Sequence, residues 1–420
     1  MTRSLLGAAL VDVPEDLADV TGIDDRLERP PGAGGLSARA VDAIWGATEE
    51  LYRSGAYPAI TLCLRRQGQI VLNRSLGHVR GNGPVDNERE PRLLARPDTP
   101  VCLFSASKAV TAILVHKLAE EGGIHLDERV SHYLPEFAAA GKGETTIAEV
   151  LAHRGGFPMF DVAGEAAQVE TLLDWDRCIE MICAASPTWR DGPRMAYHAI
   201  TGGFILGEVI RRVTGAPISE YLDTRLRAPL GMKTFTYGLE PALRPNGALN
   251  YAAGQPVRFP LSAVVARALT VPFEKVIEAS NTDVFMDAVV PAGNLYASAE
   301  ELSRFYQMLL NGGSWQGEQV LQEATVARAV RPANRLQFDH TLKIPMRYSE
   351  GLMLGANPFG LYGPMTGAAY GHLGFMNILG WADPSRDIAA SLLVTGKAVL
   401  GGHLIALGEL LTTIAWQCRK

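Results

Sequence analysis

The 420-residue chain is poor in the features that announce many protein classes. Its five cysteines, at 63, 102, 178, 183 and 418, form no Cys-x-x-Cys and no zinc-like spacing. An odd, scattered set reads as buried small hydrophobes in a reducing compartment, not as a disulfide framework. The nine histidines make no His-Glu-x-x-His or comparable ligand pair, so no metal and no cofactor is expected. Basic charge is not in excess. A net charge of −6 argues against nucleic-acid binding and against docking on an anionic membrane. No apolar run is long enough for a bilayer span. The apolar stretch in "MTRSLLGAALVDVPEDL" is short for a signal sequence and has no convincing cleavage site, so the expected location is cytoplasmic. Gly-x-Ser-x-Gly is also absent, which excludes the nucleophile elbow of the α/β-hydrolases.

What is present has a clear order. "LSARAVDAIWGATEELYRS", residues 36–54, has helical spacing. "YPAITLCLRRQGQIVLNRSLG" reads as two strands around a Gln67-Gly68 turn. A polar loop rich in Pro, Asn and charge runs to residue 100. Helical periods then dominate as far as about Tyr306. "MNILGWADPSRDIAASLLVTG" returns to two strands around Asp383-Pro384-Ser385, and a last helix follows. Strands at both ends cannot each bury a face alone, so they are expected to share one sheet. The predicted architecture is an α/β domain from residues 36–100 and 330–420, with an antiparallel sheet flanked by helices. A mainly helical domain, 101–329, is inserted, and residues 1–35 form an N-terminal arm without a core of its own.

Three places carry chemistry. "LFSASKAVTAILVHKLAEEGG" is a nearly all-apolar helix stopped by Gly122-Gly123, with Ser105 at its start and Lys108 one turn on. Residues three apart on a helix are neighbours, so the amine can take the hydroxyl proton, and the helix N-terminus favours a developing oxyanion. Equally, Ser105 or Ser107 could simply cap the helix and Lys108 could snorkel outward. Tyr197 and His198 stand just before a second helix. A Lys ammonium about 4 Å away would lower the tyrosine pKa and make it a general base. His372-Leu373-Gly374 opens the C-terminal hairpin. There Gly374 would let a substrate lie close to the strand edge, and the Phe375 N–H would join that of Ser105 as an oxyanion hole. His198, His372 and Gly374 are the candidate substrate-binding residues.

Ser105-Ala106-Ser107-Lys108, Tyr197-His198-Ala199 and His372-Leu373-Gly374 match in order and rough separation the Ser-x-x-Lys, Tyr and Lys/His-x-Gly elements of the serine β-lactamase/penicillin-binding-protein superfamily. "EEGGIHLDERVSHYLPEF", "VLAHRGGFP" and "VPAGNLYASAEELSRFYQMLLNGG" resemble the connecting segments of class C-like members, so the resemblance spans about residues 38–400. The branch it most resembles is the family VIII carboxylesterases. The resemblance implies a β-lactamase-like fold with the site between sheet and helical domain, and a Ser105 acyl-enzyme with Lys108 and Tyr197 as base. Ala199 stands where class C enzymes usually have Asn, and His372 where they have Lys. Both departures weaken recognition of an anionic amide, and both suit an uncharged ester of a small or short-chain acyl group. A β-lactamase or D-alanyl peptidase, and an acyltransferase on the same fold, are the alternatives. The expected partner is a small-molecule ester, with the oligomeric state left open.

Overall fold

Two hairpins far apart in sequence supply the centre of one sheet. In the computed structural model, which describes residues 7–86, 90–159, 169–189, 194–258, 262 and 272–419, the first hairpin pairs β2 (Ala59–Arg66) with β3 (Gln69–Arg80). Its two turn residues, Gln67 and Gly68, have φ of 51° and 74°. Positive φ at both central positions matches the right-handed twist of the flanking strands. The C-terminal strands are β4 (Met353–Leu354), β5 (Tyr370–Gly374), β6 (Ile378–Asp383) and β7 (Ile388–Val394). β7 pairs with β2 from Ile388↔Arg66 to Val394↔Ile60 and so joins the two ends of the chain. With β1 (Thr21–Ile23) on one edge, the order is β1-β3-β2-β7-β6-β5-β4, antiparallel throughout. The expected antiparallel sheet from both chain ends is therefore present. The polar loop before residue 100 contributes Leu93–Leu94, which also pairs with β3.

Helices cover the sheet and fill the insert. Those that matter below are α1 (Ala38–Arg53), α2 (Ser107–Glu120), α3 (Trp175–Ala184), α4 (Thr201–Thr214), α5 (Phe273–Ser280), α6 (Ala299–Leu310) and α7 (His403–Gln417). Successive strand residues point to opposite faces. Arg65 accordingly reaches α6, where it donates to Ser303 Oγ at 3.0 Å and pairs with Glu300. Arg66 reaches the other face, where it donates to the carbonyls of Gly34 and Gly35 before α1 and of Arg419 beyond α7. α1 and α7 pack on each other on that side. All five cysteines are free and buried. Among the described residues no helix is long and apolar enough to cross a membrane.

Two expectations need correction. Residues 7–35 are not a free arm. Leu17 and Val20 are buried in the main core, β1 extends the sheet, and Glu28 binds the Arg74 guanidinium through both carboxylate oxygens at 2.8 and 2.9 Å. The mixture of acidic, basic and apolar residues in this segment is what docks it, through core burial, strand pairing and an ion pair together. Helix α6, expected in the inserted domain, instead packs on β7, β6 and β2 and forms a layer of the sheet domain. Its polar anchor is the buried Glu300, which also pairs with Arg304 at 2.5 Å. Glu300→Ala would strand the Arg65 guanidinium without its counter-ion. The expected cost is about 3–5 kcal/mol, read as a lower urea midpoint, with a smaller loss in the Arg65→Met/Glu300→Met double variant.

Candidate active site

Ser105 lies on a short 3-10 turn, Phe104–Ala106, between the Val101–Cys102 strand and α2. Phe104 holds a φ of +45°, which a bulky L-residue adopts only when its surroundings enforce it. Ser107 provides part of that enforcement. Its hydroxyl donates to the Phe104 carbonyl at 2.5 Å and accepts the N–H of Leu295 at 3.0 Å. No side chain caps α2, so the capping reading fails for both serines. The Ser105 hydroxyl is left for Lys108, whose Nζ stands 3.1 Å away.

Lys108 does not snorkel. α2 is buried on nearly every side, and Lys108 is only 7% exposed. Its Nζ donates to the carbonyl of Ala292 at 2.9 Å. That carbonyl is fixed by a pinned loop. The Pro291 carbonyl accepts from Thr111 at 2.6 Å, and the Asn294 amide bridges Val290 N to the carbonyls of Phe285 and Ala288. Burial holds Lys108 well below the ordinary lysine pKa.

Tyr197 sits on the irregular strand of chain before α4, with Lys108 Nζ 4.9 Å from its ring centroid, over the face. Its hydroxyl is buried and makes no hydrogen bond of standard geometry. The expectation that the lysine charge lowers this tyrosine is overturned. Burial raises the Tyr197 pKa above its ordinary value, opposed by the nearby Ser105 hydroxyl and reinforced by the charge of Asp339. Desolvation is the largest cause for both groups. Burial thus moves the two groups in opposite directions, Lys108 down and Tyr197 up, each toward its neutral form.

Three histidines surround this pair, and burial keeps each neutral. His372 is the third residue of β5, with its ring 6.2 Å from that of Tyr197. Its Nδ1 lies 2.7 Å from the Leu373 carbonyl. A carbonyl only accepts, so Nδ1 carries the hydrogen and Nε2 keeps its lone pair. Nε2 is buried without a partner. Burial, and then Lys108, push the His372 pKa down to about 3. His198 does not face open space either. Its Nε2 accepts the N–H of Phe157 at 3.3 Å, and burial pushes its pKa down to about 3. His153 was not singled out for chemistry in the sequence, although it lies in "VLAHRGGFP". It packs against the Tyr197 ring at 4.7 Å and stacks on His198 at 5.8 Å. Its Nδ1 accepts the His198 N–H at 3.2 Å.

Phe375 follows directly on β5, and its ring is 5.2 Å from that of Phe104. Among the described residues, no backbone carbonyl outside helices and strands takes the N–H of Phe375. Gly374 has a packing reason of its own. A Cβ there would lie 2.4 Å from the Leu103 carbonyl oxygen and 2.8 Å from Ile378 Cβ. The missing side chain makes room for the Leu103 carbonyl that leads into the turn carrying Ser105. Gly374→Ala is expected to displace that turn and lower kcat about 100-fold, measured per active site after titration with a phosphonate.

Beside Ser105 opens an apolar cavity of ≈ 70 Å³, walled by Phe104, Ile200, Val276, Phe285, Val290 and Phe375 among others. None of its described lining residues is charged. Ala199 lies on the same wall.

Residues 37–406 match the family model described as Beta-lactamase. The chain is 28% identical over 341 residues to "Esterase/beta-lactamase LipL" of Mycobacterium tuberculosis, covering 77% of this chain and 76% of that protein. It is 25% identical over 356 residues to a "Putative D-alanyl-D-alanine carboxypeptidase" of Escherichia coli, covering 80% and 78%. Among solved structures, "Crystal structure of a family VIII carboxylesterase" superposes with a TM-score of 0.76 at 26% identity, over 91% of this chain and 99% of that one.

Proposed function

The chain belongs to the Beta-lactamase family, and from that premise we propose that it is a serine carboxylesterase acting on uncharged esters of small or short-chain acyl groups. One observation carries the choice. Ser105 Oγ stands 3.1 Å from a buried amine, beside a cavity whose described walls hold no charge. A neutral amine has a lone pair, so Lys108 takes the Ser105 proton as Oγ attacks the ester carbonyl. The N–H groups of Ser105 and Phe375 receive the oxyanion. Tyr197, protonated by virtue of its burial, gives its proton to the leaving alkoxide and regains one from the Lys108 ammonium. Water then attacks the acyl-enzyme, its proton passing to Lys108, which returns it to Ser105 Oγ as the acid departs.

The same features disfavour anionic substrates. A β-lactam or a peptide terminus carries a carboxylate that needs a cation. His372 supplies none, since its pKa lies at about 3. The resemblance to a protein named both esterase and beta-lactamase makes the comparison of the two substrates the decisive assay. Hydrolysis of p-nitrophenyl butyrate is expected to exceed that of a chromogenic cephalosporin by about 10³-fold or more in kcat/KM, roughly the effect of an unpaired charge at a dry site. A preference for the cephalosporin would overturn the esterase reading.

A further inference from the structure

Asp339 is fully buried and lies 142 positions from Tyr197 in sequence, yet it is bonded to it. Its Oδ1 accepts the N–H groups of Tyr197 at 3.1 Å, Thr341 at 2.8 Å and Leu342 at 2.8 Å. Its Oδ2 accepts the hydroxyl of Tyr348 at 2.9 Å. None of the ion pairs among the described residues involves it, so the carboxylate is held by four neutral donors. Burying a carboxylate without a counter-ion is costly, and these four donors offset part of that cost. The Tyr348 ring packs on His153 at 4.7 Å, and His153 packs on the Tyr197 ring. Tyr197 is thus gripped twice, at its backbone by Asp339 and at its ring face by His153 behind Tyr348. The grip matters because Tyr197 lies on irregular backbone before α4, where no helix or strand ladder fixes it.

We propose that Asp339 is a positioning residue for Tyr197, orienting its phenol for proton transfer to the leaving group. The inference rests on the Tyr197 role given above. Charge supports it, because the carboxylate raises the tyrosine pKa and so keeps the phenol protonated.

The test uses the full chain and two esters of one acid. The phenolate of p-nitrophenyl butyrate leaves without a proton, whereas the alkoxide of ethyl butyrate needs one. Rates are taken per site labelled by a fluorophosphonate, so unfolded protein does not count. Asp339→Ala is expected to lower kcat on ethyl butyrate about 10- to 100-fold, with KM little changed and p-nitrophenyl butyrate affected much less. Tyr348→Phe, which keeps the backbone contacts of Asp339, should show the same bias at smaller size and serves if Asp339→Ala does not fold. Adding either change to Tyr197→Phe should cost nothing further. Equal losses on the two esters, or losses additive with Tyr197→Phe, would overturn the assignment. If Tyr197→Phe alone leaves ethyl butyrate turnover intact, the Tyr197 role fails instead. If Tyr197→Phe is slow and the other two variants are not, only the positioning role of Asp339 fails.

Discussion

Ser105→Ala is expected to hydrolyse p-nitrophenyl butyrate about 10⁴-fold more slowly than the wild type or worse, while unfolding at nearly the same temperature. The size follows from the chemistry. Without Oγ there is no covalent intermediate, and only the oxyanion donors and binding remain. The stability follows from the surroundings. Ser105 caps no helix, and Ser107, not Ser105, ties the turn to Leu295. Removing one partly buried hydroxyl also leaves Lys108 with its bond to Ala292. A variant that kept a tenth of the activity would mean that another nucleophile does the work. A variant that lost activity together with its fold would say nothing of chemistry, which is why the unfolding temperature is measured beside the rate.

Lys108→Met should be nearly as damaging, with a loss of about 10³-fold in kcat/KM, within the range for a general base. Methionine matches the length of the side chain and suits its buried site, so the loss reports the missing amine. The pH profile gives a sharper test. Lys108 accepts a proton only when neutral, so activity persists above its folded pKa and fades as pH falls through it. Burial places that pKa well below 10.5. Wild-type kcat/KM is therefore expected to be on its plateau far below pH 10, with the acid limb absent from whatever activity Lys108→Met retains. Activity that climbed steadily to pH 10 would instead require a lysine of ordinary pKa and would contradict the neutral amine.

Much of this was legible in residue patterns. Strand-like runs on either side of Gln67-Gly68 and of Asp383-Pro384-Ser385 located both hairpins, and β2, β6 and β7 are buried along their whole length. The run from Val110 to Leu118 located α2 and, with it, the Ser105–Lys108 pair, since helical spacing alone brings those side chains together. What patterns do not encode is depth. Whether Lys108 lowers Tyr197 or burial raises it depends on how much of the fold closes over them, and no local signal reports that. Partner choice was equally hidden. An amphipathic stretch such as α6 shows that it packs, not that it packs on β7. Nothing in the sequence singles out Asp339, because its partner Tyr197 lies 142 positions away. The packing need at Gly374 was hidden too, because sequence cannot show the Leu103 carbonyl against it.

The most direct test of the central claim is to trap the acyl-enzyme. The protein is mixed with a slowly deacylating aryl ester or a fluorophosphonate, weighed intact, digested and mapped by mass spectrometry. One adduct per chain, on the peptide carrying Ser105 and absent from Ser105→Ala, is the expected result. An adduct on another residue, or turnover of the ester with no covalent species at Ser105, would contradict it.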